Sequence, residues 1–338
     1  MHRKLKLPRR LAFVFAAASA AVAVSLGDAA AAQAWKPSSS VEIIIAAGAG
    51  GGADRSGRFL QNIMRDQKLV PTPVVVVNKP GASGAIGLNY LLQQSQSGHH
   101  LMIASPTLMT THIVGQVKTS PSEVTPIGLL YTEYMMLAVK ADSPIKTGKD
   151  FIERLRQDSQ ALSITVGVGL GNMNHIAVAT PLKKSGIPVR DLRVIVYKSI
   201  SDATTAVLGG HVDVVSATPA ILLPHVQSGK LRFIALAAPK RLGGAFADVP
   251  TWREQGVDAT AAFYHSVVGA KGMRPEQVAY WDNVLARAVS AAEWKQMLDK
   301  FYLTDAYMNS ARTQQFMKEE YEELRSVLTE LGLSKTAN

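Results

Sequence analysis

Short apolar runs alternate with amphipathic segments along most of this chain. The first run, at residues 41–46, opens into a turn with four glycines between residues 48 and 52. The segment after the turn repeats apolar residues at the spacing of one helix face, which Phe59, Leu60, Ile63 and Met64 share. The pattern therefore predicts a strand, a glycine turn and a helix, in this order.

Two further apolar runs, at residues 74–77 and 101–104, continue the alternation, with a helix predicted over residues 85–94. None of these runs alternates apolar with polar residues, which is typical of strands buried in a parallel sheet. We therefore expect a parallel sheet with right-handed crossovers. Because ligands bind at the carboxyl ends of such strands, the turns after them should face one crevice.

The alternation recurs between residues 141 and 237. Strands are predicted at residues 164–168, 192–197 and 212–215, and helices at residues 174–184, 202–208 and 220–227. The first of these strands also opens into glycines, at Gly167, Gly169 and Gly171, before a helix. Beyond residue 238, helices are predicted at residues 275–289 and 310–331, and we expect them to pack on the first half of the chain.

The fold class predicted from this repetition is α/β, with two domains. We expect residues 35–138 and 238–338 to form lobe 1 and residues 139–237 to form lobe 2, each a mostly parallel sheet flanked by helices. The chain should cross between the lobes near residues 137–140 and 233–236. Two glycine turns at helix N-termini, one in each lobe, predict a ligand cleft between the lobes.

The glycine turn at residues 48–53 favours an anion, because glycines expose backbone N–H groups and the helix adds the positive end of its dipole. The turn also fits the dinucleotide pattern G-x-G-x-x-G/A, but no acidic residue ends the second strand, where Asn78, Lys79 and Pro80 stand instead. A phosphate-binding loop does not fit, since Lys and Ser/Thr do not follow the glycines. A turn that serves packing alone is the remaining alternative.

The N-terminus has the features of a secretory signal peptide. Five basic residues at positions 3–10 precede an Ala-rich apolar stretch at residues 11–26, and small residues continue to Ala34. We predict cleavage of residues 1–34, after Ala32 or Ala34, and a periplasmic location. A membrane anchor is the alternative, but the stretch is short of the roughly 20 apolar residues that a spanning helix needs.

Composition excludes several function classes. The formal net charge of +10 falls to +6 when the five basic residues and Asp28 of the leader are removed, and no basic run or aromatic interleaving suggests nucleic acid binding. The chain has no cysteine, so disulfides and thiolate catalysis are excluded. The eight His residues show no metal-ligand spacing, and we expect neither a metal nor a cofactor.

An exported α/β enzyme, either a hydrolase or a nucleotide-dependent enzyme that uses the glycine turn, is the alternative function. Residues 81–85 come close to the nucleophile elbow G-x-S-x-G but end in Ala85. No ordered acid and His accompany Ser83, so we expect no enzyme.

Several motifs, in order and at consistent spacing, carry a resemblance to a known family. They are GGGAD at residues 50–54, VNKPGASGAIG at 77–87, LGGHVD at 208–213, PHVQSGKLR at 224–232, DVPT at 248–251 and EQG at 254–256. The chain resembles the substrate-binding proteins of tripartite tricarboxylate transporters, the Bug family. The resemblance implies an extracytoplasmic solute receptor of the type II periplasmic-binding-protein fold that closes around a small carboxylate. It also implies delivery to a membrane permease of one large and one small subunit, and we expect a monomer.

The candidate ligand-binding residues lie at the glycine turns and strand ends. They are Ala47, Gly48, Ala49, Gly50, Gly51, Gly52, Ala53, Asp54, Ser83, Ser105, Thr107, Gly169, Leu170, Gly171, Asn172, His175, Tyr197, Lys198 and Thr218. For Asp54, a role in binding and a role in capping the helix are both open, and His175 is open between a ligand contact and a structural hydrogen bond. Lys198 points either to the ligand or into solvent.

The chain departs from the family pattern at several of these positions. It has Ala46, Ala47 and Gly48 in place of a Pro-aromatic-Pro segment, and Ala53 in place of Thr. In the second turn, Gly167, Val168, Asn172 and Met173 stand at serine positions, Ala217 stands for an Asp, and Ser199 stands for a Gly. We therefore expect backbone donors to dominate recognition and the ligand to carry a larger apolar part.

Overall fold

The computed structural model describes residues 35–167 and 169–336. The predicted signal peptide lies outside the described residues, as does the candidate position Val168. The strands are β1 (Val41–Ile45), β2 (Val74–Asn78), β3 (His100–Ala104), β4 (Val124–Tyr134), β5 (Met136–Lys140), β6 (Ser163–Thr165), β7 (Arg193–Ile195), β8 (Val214–Ala217), β9 (Leu231–Leu236), β10 (Ala262–Ala270) and β11 (Thr304–Met308).

The helices alternate with these strands as the sequence pattern predicts for most of the chain. They are α1 (Gly52–Asp66), α2 (Ala85–Leu92), α3 (Thr107–Ile113), α4 (Gly148–Gln157), α5 (Met173–Lys184), α6 (Ile200–Leu208), α7 (Pro219–Gln227), α8 (Pro275–Ser290), α9 (Ala292–Lys300) and α10 (Ser310–Glu330). Within the described part of the chain, no helix combines the length and the apolar character needed to cross a membrane.

The strands form two sheets, so the predicted α/β class with two sheets is confirmed. The first has the order β11-β4-β10-β3-β1-β2, and the second has the order β7-β6-β8-β5-β9. Neither sheet is mostly parallel, contrary to the prediction. In the first, β1 pairs in parallel with β2 and β3, but β10 and β11 add antiparallel pairs with β3 and β4. In the second, β6 has parallel neighbours and β5 has antiparallel ones.

The chain passes between the sheets at Met135, since β4 belongs to the first sheet and β5 to the second. This is slightly earlier than the predicted crossing at residues 137–140. The backbone of this crossing is tied to the returning chain: Met135 N–H donates to Ala261 O at 3.1 Å, Ala261 N–H to Ala237 O at 2.9 Å, and Ala237 N–H to Met135 O at 2.9 Å. Three chain segments therefore meet at one buried point of connection.

Residues 238–260 pack on the second sheet, although the prediction assigned them to lobe 1. The ring of Phe246 lies 5.9 Å from that of Phe233 in β9, and the ring of Trp252 lies 6.3 Å from that of Phe151 in α4. The N–H of Leu236 donates to Pro250 O at 3.0 Å. We propose lobe boundaries near Met135 and Ala261, with α8, α9 and α10 in lobe 1.

The C-terminal helix α10 packs on β4 of the first sheet and also on α5 beside the second sheet. Lys183 Nζ lies 3.2 Å from a carboxylate oxygen of Glu330 and donates to Ser326 Oγ at 2.8 Å. A continuous buried cluster runs from Ile44 through Met135 to Leu328 and joins these elements. The fold thus fixes the ends of β1, β3, β4, β6 and β8 around one opening.

Candidate functional site

A cleft of about 900 Å³ lies where the carboxyl ends of strands from both sheets converge. Its wall includes the first or second residue of five helices that are at least eight residues long: Gly52 of α1, Ala85 of α2, Met173 of α5, Ile200 of α6 and Ala220 of α7. Helix N-termini carry unpaired N–H groups and a positive dipole end. The cleft is therefore built to accept negative charge.

Asp54 holds the first glycine turn in shape. It is buried, and its carboxylate accepts hydrogen bonds from Gly50 N–H at 3.0 Å, Arg58 Nε at 2.9 Å and Asn78 Nδ2 at 3.0 Å. These bonds, that from Arg58 above all, lower the pKa of Asp54 to about 2 despite its burial. Gly50 has a φ of +84°, which favours glycine.

A hydrogen-bonded cluster supports the turn from below. Ser56 Oγ donates to Gly52 O at 3.0 Å and lies 2.8 Å from Tyr131 Oη and 3.1 Å from His265 Nδ1. Burial lowers the pKa of His265 to about 3 and raises the pKa of Tyr131 to about 12, so both side chains are neutral near pH 7. A Cβ at Gly52 would lie 3.2 Å from His265 Cε1, so the turn rests directly on this ring.

Arg55 brings a positive charge into the cleft from the first turn of α1. Its guanidinium carbon lies 3.9 Å from the ring centroid of Phe301, and a guanidinium nitrogen would lie 3.7 Å from a Cβ at Gly52. Its Nε is buried and has no hydrogen-bond partner among the described residues. Arg55 is thus held beside the glycine turn by stacking, with an Nε donor that no described residue accepts.

Glu133 brings a carboxyl group into the same cleft from the end of β4, opposite Phe263 of β10. Burial raises its pKa to about 7, although a hydrogen bond with Thr218 and the charge of Arg55 both lower it. Arg55 acts on Glu133 through its charge alone, and no ion pair joins the two side chains. The cleft therefore holds a guanidinium group and, separate from it, a carboxyl group that changes charge near pH 7.

The second glycine turn is fixed by its own side chains. Asn172 caps α5: its Oδ1 accepts from His175 N–H at 3.0 Å, and its Nδ2 donates to Val166 O at 3.0 Å. Gly171 N–H donates to Nδ1 of the buried His175 at 3.0 Å, and burial lowers the pKa of that imidazole to about 4. His175 therefore shapes the turn as a neutral ring.

Eleven of the predicted residues lie on the wall of the cleft: Ala47, Gly52, Ala53, Ser83, Ser105, Thr107, Gly169, Leu170, Gly171, Asn172 and Thr218. Gly48, Ala49, Gly50, Gly51 and Asp54 belong to the first turn but not to this wall, and neither His175, Tyr197 nor Lys198 reaches it. Tyr197 is half-buried with its N–H bonded to Gly167 O at 2.9 Å, and Lys198 is exposed.

The residues with the strongest chemistry in the cleft are not among those predicted from the sequence: Arg55, Tyr131, Glu133, Phe263, His265 and Phe301. Arg55 had a signal, since it is a charged residue in the first turn of the helix that follows the glycines. The others lie on β4, on β10 or after α9, which the pattern of apolar residues did not predict. No cluster of three or more acidic or His side chains suited to a metal occurs in the described residues.

The family model described as "Tripartite tricarboxylate transporter family receptor" matches residues 57–333. A UPF0065 protein from the gbd 5' region of Cupriavidus necator is 29% identical over 269 residues, which are 79% of this chain and 80% of that protein.

Two solved structures show the same fold. A TctC solute-binding protein from Polaromonas has a TM-score of 0.77 and 27% identity, over 87% of this chain and 99% of the other. An R. palustris protein solved with adipate has a TM-score of 0.71 and 20% identity, over 88% of this chain and 99% of the other.

Proposed function

Because the chain belongs to the tripartite tricarboxylate transporter receptor family, we propose that it is an extracytoplasmic receptor that captures a small organic carboxylate in the cleft between its two sheets. It then delivers this ligand to a membrane permease with one large and one small subunit. The receptor acts as a monomer in the periplasm, after export by residues 1–34 and cleavage behind Ala32 or Ala34. N-terminal sequencing of the protein from a periplasmic fraction tests this export.

The observation that carries the proposal is the position of Arg55. Its guanidinium lies beside the N-terminus of α1, and its buried Nε has no hydrogen-bond partner within the described part of the chain. A carboxylate at this point accepts paired hydrogen bonds from the guanidinium and further bonds from the N–H groups of Gly52 and Ala53. Ser83, Ser105, Thr107 and Thr218 supply hydroxyl groups around the rest of the ligand.

The structure of the cleft gives less support to an enzyme. Ser83 has a φ of 53° in a turn between Gly81 and Gly84, and no imidazole is hydrogen-bonded to it. Ser56 does contact His265, but Ser56 is fully buried beneath the turn, where a substrate cannot reach it. We therefore propose that the chain binds its ligand without transforming it.

A thermal-shift screen of the mature protein against mono-, di- and tricarboxylates, aromatic acids and the matching neutral amides tests the function. A ligand of the native state raises the melting temperature, and we expect acids but not amides to do so. Titration calorimetry should then show that Arg55→Gln weakens binding of the best acid about tenfold or more, because a hydrogen bond to a charged group contributes about 1.5 to 3 kcal/mol.

The matched control is Arg156→Gln, since Arg156 is exposed on α4, where it forms a surface ion pair with Glu153 at 3.4 Å and donates to Ser185 O at 3.3 Å. It should leave the affinity unchanged. Equal binding of acids and amides, or full affinity in Arg55→Gln, would contradict the proposed function.

A further inference from the structure

Arg55 and Glu133 face the same cleft without forming an ion pair with each other. Arg55 stands at the start of α1, and Glu133 stands at the end of β4, next to the crossing between the sheets. Glu133 receives one hydrogen bond, from Thr218 at the start of α7. A charge in a partly buried site is costly unless a partner of opposite sign compensates it, and Arg55 lowers the pKa of Glu133 through its charge without forming an ion pair with it.

From these positions we infer that the ligand is a zwitterion, an amino acid whose carboxylate binds Arg55 and whose ammonium group binds Glu133. This inference rests on the proposed function and specifies its substrate class. A carboxylate alone would satisfy Arg55 but would leave Glu133 facing a second negative charge. A zwitterion compensates both groups and leaves the net charge of the cleft unchanged.

The rest of the cleft suits an apolar side chain. Phe263, Phe301, Ile221 and Leu170 line it, and Leu170 is 47% exposed. Apolar surface at the wall of a concave site is covered when an apolar ligand group binds. The volume of about 900 Å³ exceeds what a small amino acid fills, so a side chain of the size of leucine or phenylalanine fits this site.

The protonation state of Glu133 should affect the binding of amino acids and the binding of simple acids in opposite ways. Around Glu133 stand the guanidinium of Arg55, Tyr131 with a pKa of about 12, His265 with a pKa of about 3 and the hydroxyl of Thr218. Among these groups, only Glu133, with a pKa of about 7, changes charge between pH 6 and pH 8. An ammonium group needs the ionised carboxylate, whereas a ligand with a second acid group needs the protonated form.

The experiment titrates the mature protein with leucine, phenylalanine, their N-acetyl derivatives, their carboxamides, and the deaminated acids 4-methylpentanoate and 3-phenylpropanoate. The amino acids should bind at least tenfold more tightly than all three analogues. Their affinity should rise about tenfold from pH 6 to pH 8 as Glu133 ionises, while the affinity of the deaminated acids should fall or stay constant.

Glu133→Gln should remove the advantage of the amino acid over its deaminated acid, and Glu153→Gln, an exposed change on α4, should retain it. Glu133→Asp keeps the carboxylate but moves it away from the ligand by one methylene group. This variant should keep part of the tighter binding of the amino acid and part of its pH dependence. Melting curves show whether each variant is folded.

Three outcomes are possible. The inference is supported if the amino acids bind more tightly than their deaminated acids and if Glu133→Gln removes this difference in affinity. Deaminated acids or dicarboxylates that bind as tightly as the amino acids overturn it, and leave the proposed function intact. If no compound with a free carboxylate binds, both the inference and the proposed function are wrong.

Discussion

Replacement of Asp54 by Asn tests whether this residue holds the first glycine turn in place. The partners of Asp54 are all donors, from Gly50, Arg58 and Asn78, so the amide group of Asn would turn its own NH₂ toward one of them. The bond from Arg58 has the largest effect on the pKa of Asp54, but the Arg58 side chain is 48% exposed, so solvent screens part of its contribution.

The pKa shift of Asp54 on folding gives the expected size of the change in the free energy of unfolding. A carboxyl whose pKa falls from 3.8 to about 2 on folding stabilises the native state by about 2 kcal/mol above pH 4. Because the folded pKa lies below the unfolded value, this stability is lost as the pH falls through 3.8 toward 2. We therefore expect Asp54→Asn to lower the free energy of unfolding by about 2 kcal/mol at pH 6 and by roughly half as much at pH 3.

Urea denaturation followed by circular dichroism at pH 6, 5, 4 and 3 measures this difference. The control is Asp66→Asn in the same helix, where an exposed carboxylate pairs with Arg65 at 2.8 Å. It should change the free energy of unfolding by no more than about 0.5 kcal/mol. A change below that size for Asp54→Asn, or one that does not depend on pH, would refute the role assigned to Asp54.

The remaining predictions concern backbone contacts and buried imidazoles. Gly87→Ala should lower the free energy of unfolding by about 1 to 3 kcal/mol, because its Cβ would lie 2.8 Å from the Cα of Ala46; Gly243→Ala, with nothing within 4 Å, is the thermal-melting control. Gly50→Ala should lower it by about 1 kcal/mol, since φ is +84°, and an unchanged melting temperature would argue against this turn geometry. The pKa of His265 falls from 6.5 to about 3 on folding, so its contribution to stability is full above pH 6.5 and declines below that pH. Between pH 7 and pH 5, urea denaturation should show that the free energy of unfolding falls by about 1 to 2 kcal/mol less in His265→Gln than in the unchanged protein. An equal fall in both proteins would contradict a neutral, buried His265 ring.

Much of the fold was predictable because its signals are local. The apolar runs of β1, β2 and β3, the glycines that follow them and the amphipathic α1 all lie within short stretches of chain. The strands β4 and β10 were missed for a physical reason. Pro126 and Gly128 interrupt β4, and they are tolerated because the pairing with β10 changes register at that point. In β10, the buried polar residues His265 and Ser266 break the apolar run.

In the candidate site, too, the features with a local sequence signal could be predicted and those that depend on distant contacts could not. The glycine turns could be placed from sequence, but the backbone angle at Gly51 does not require glycine, since its φ is −77° and a Cβ there would meet only Gly48 O at 3.9 Å. The pairing of Arg55 with Phe301, and the position of Glu133 opposite Phe263, arise from contacts between distant segments. No local pattern encodes them.

The most direct test of the account is a crystal structure of the mature protein with the tightest acid or amino acid from the screen. We predict that the ligand carboxylate lies within hydrogen-bond distance of the Arg55 guanidinium and of the N–H groups at Gly52 and Ala53, between the two sheets. A ligand whose carboxylate lies elsewhere and makes no contact with Arg55 would contradict the central claim.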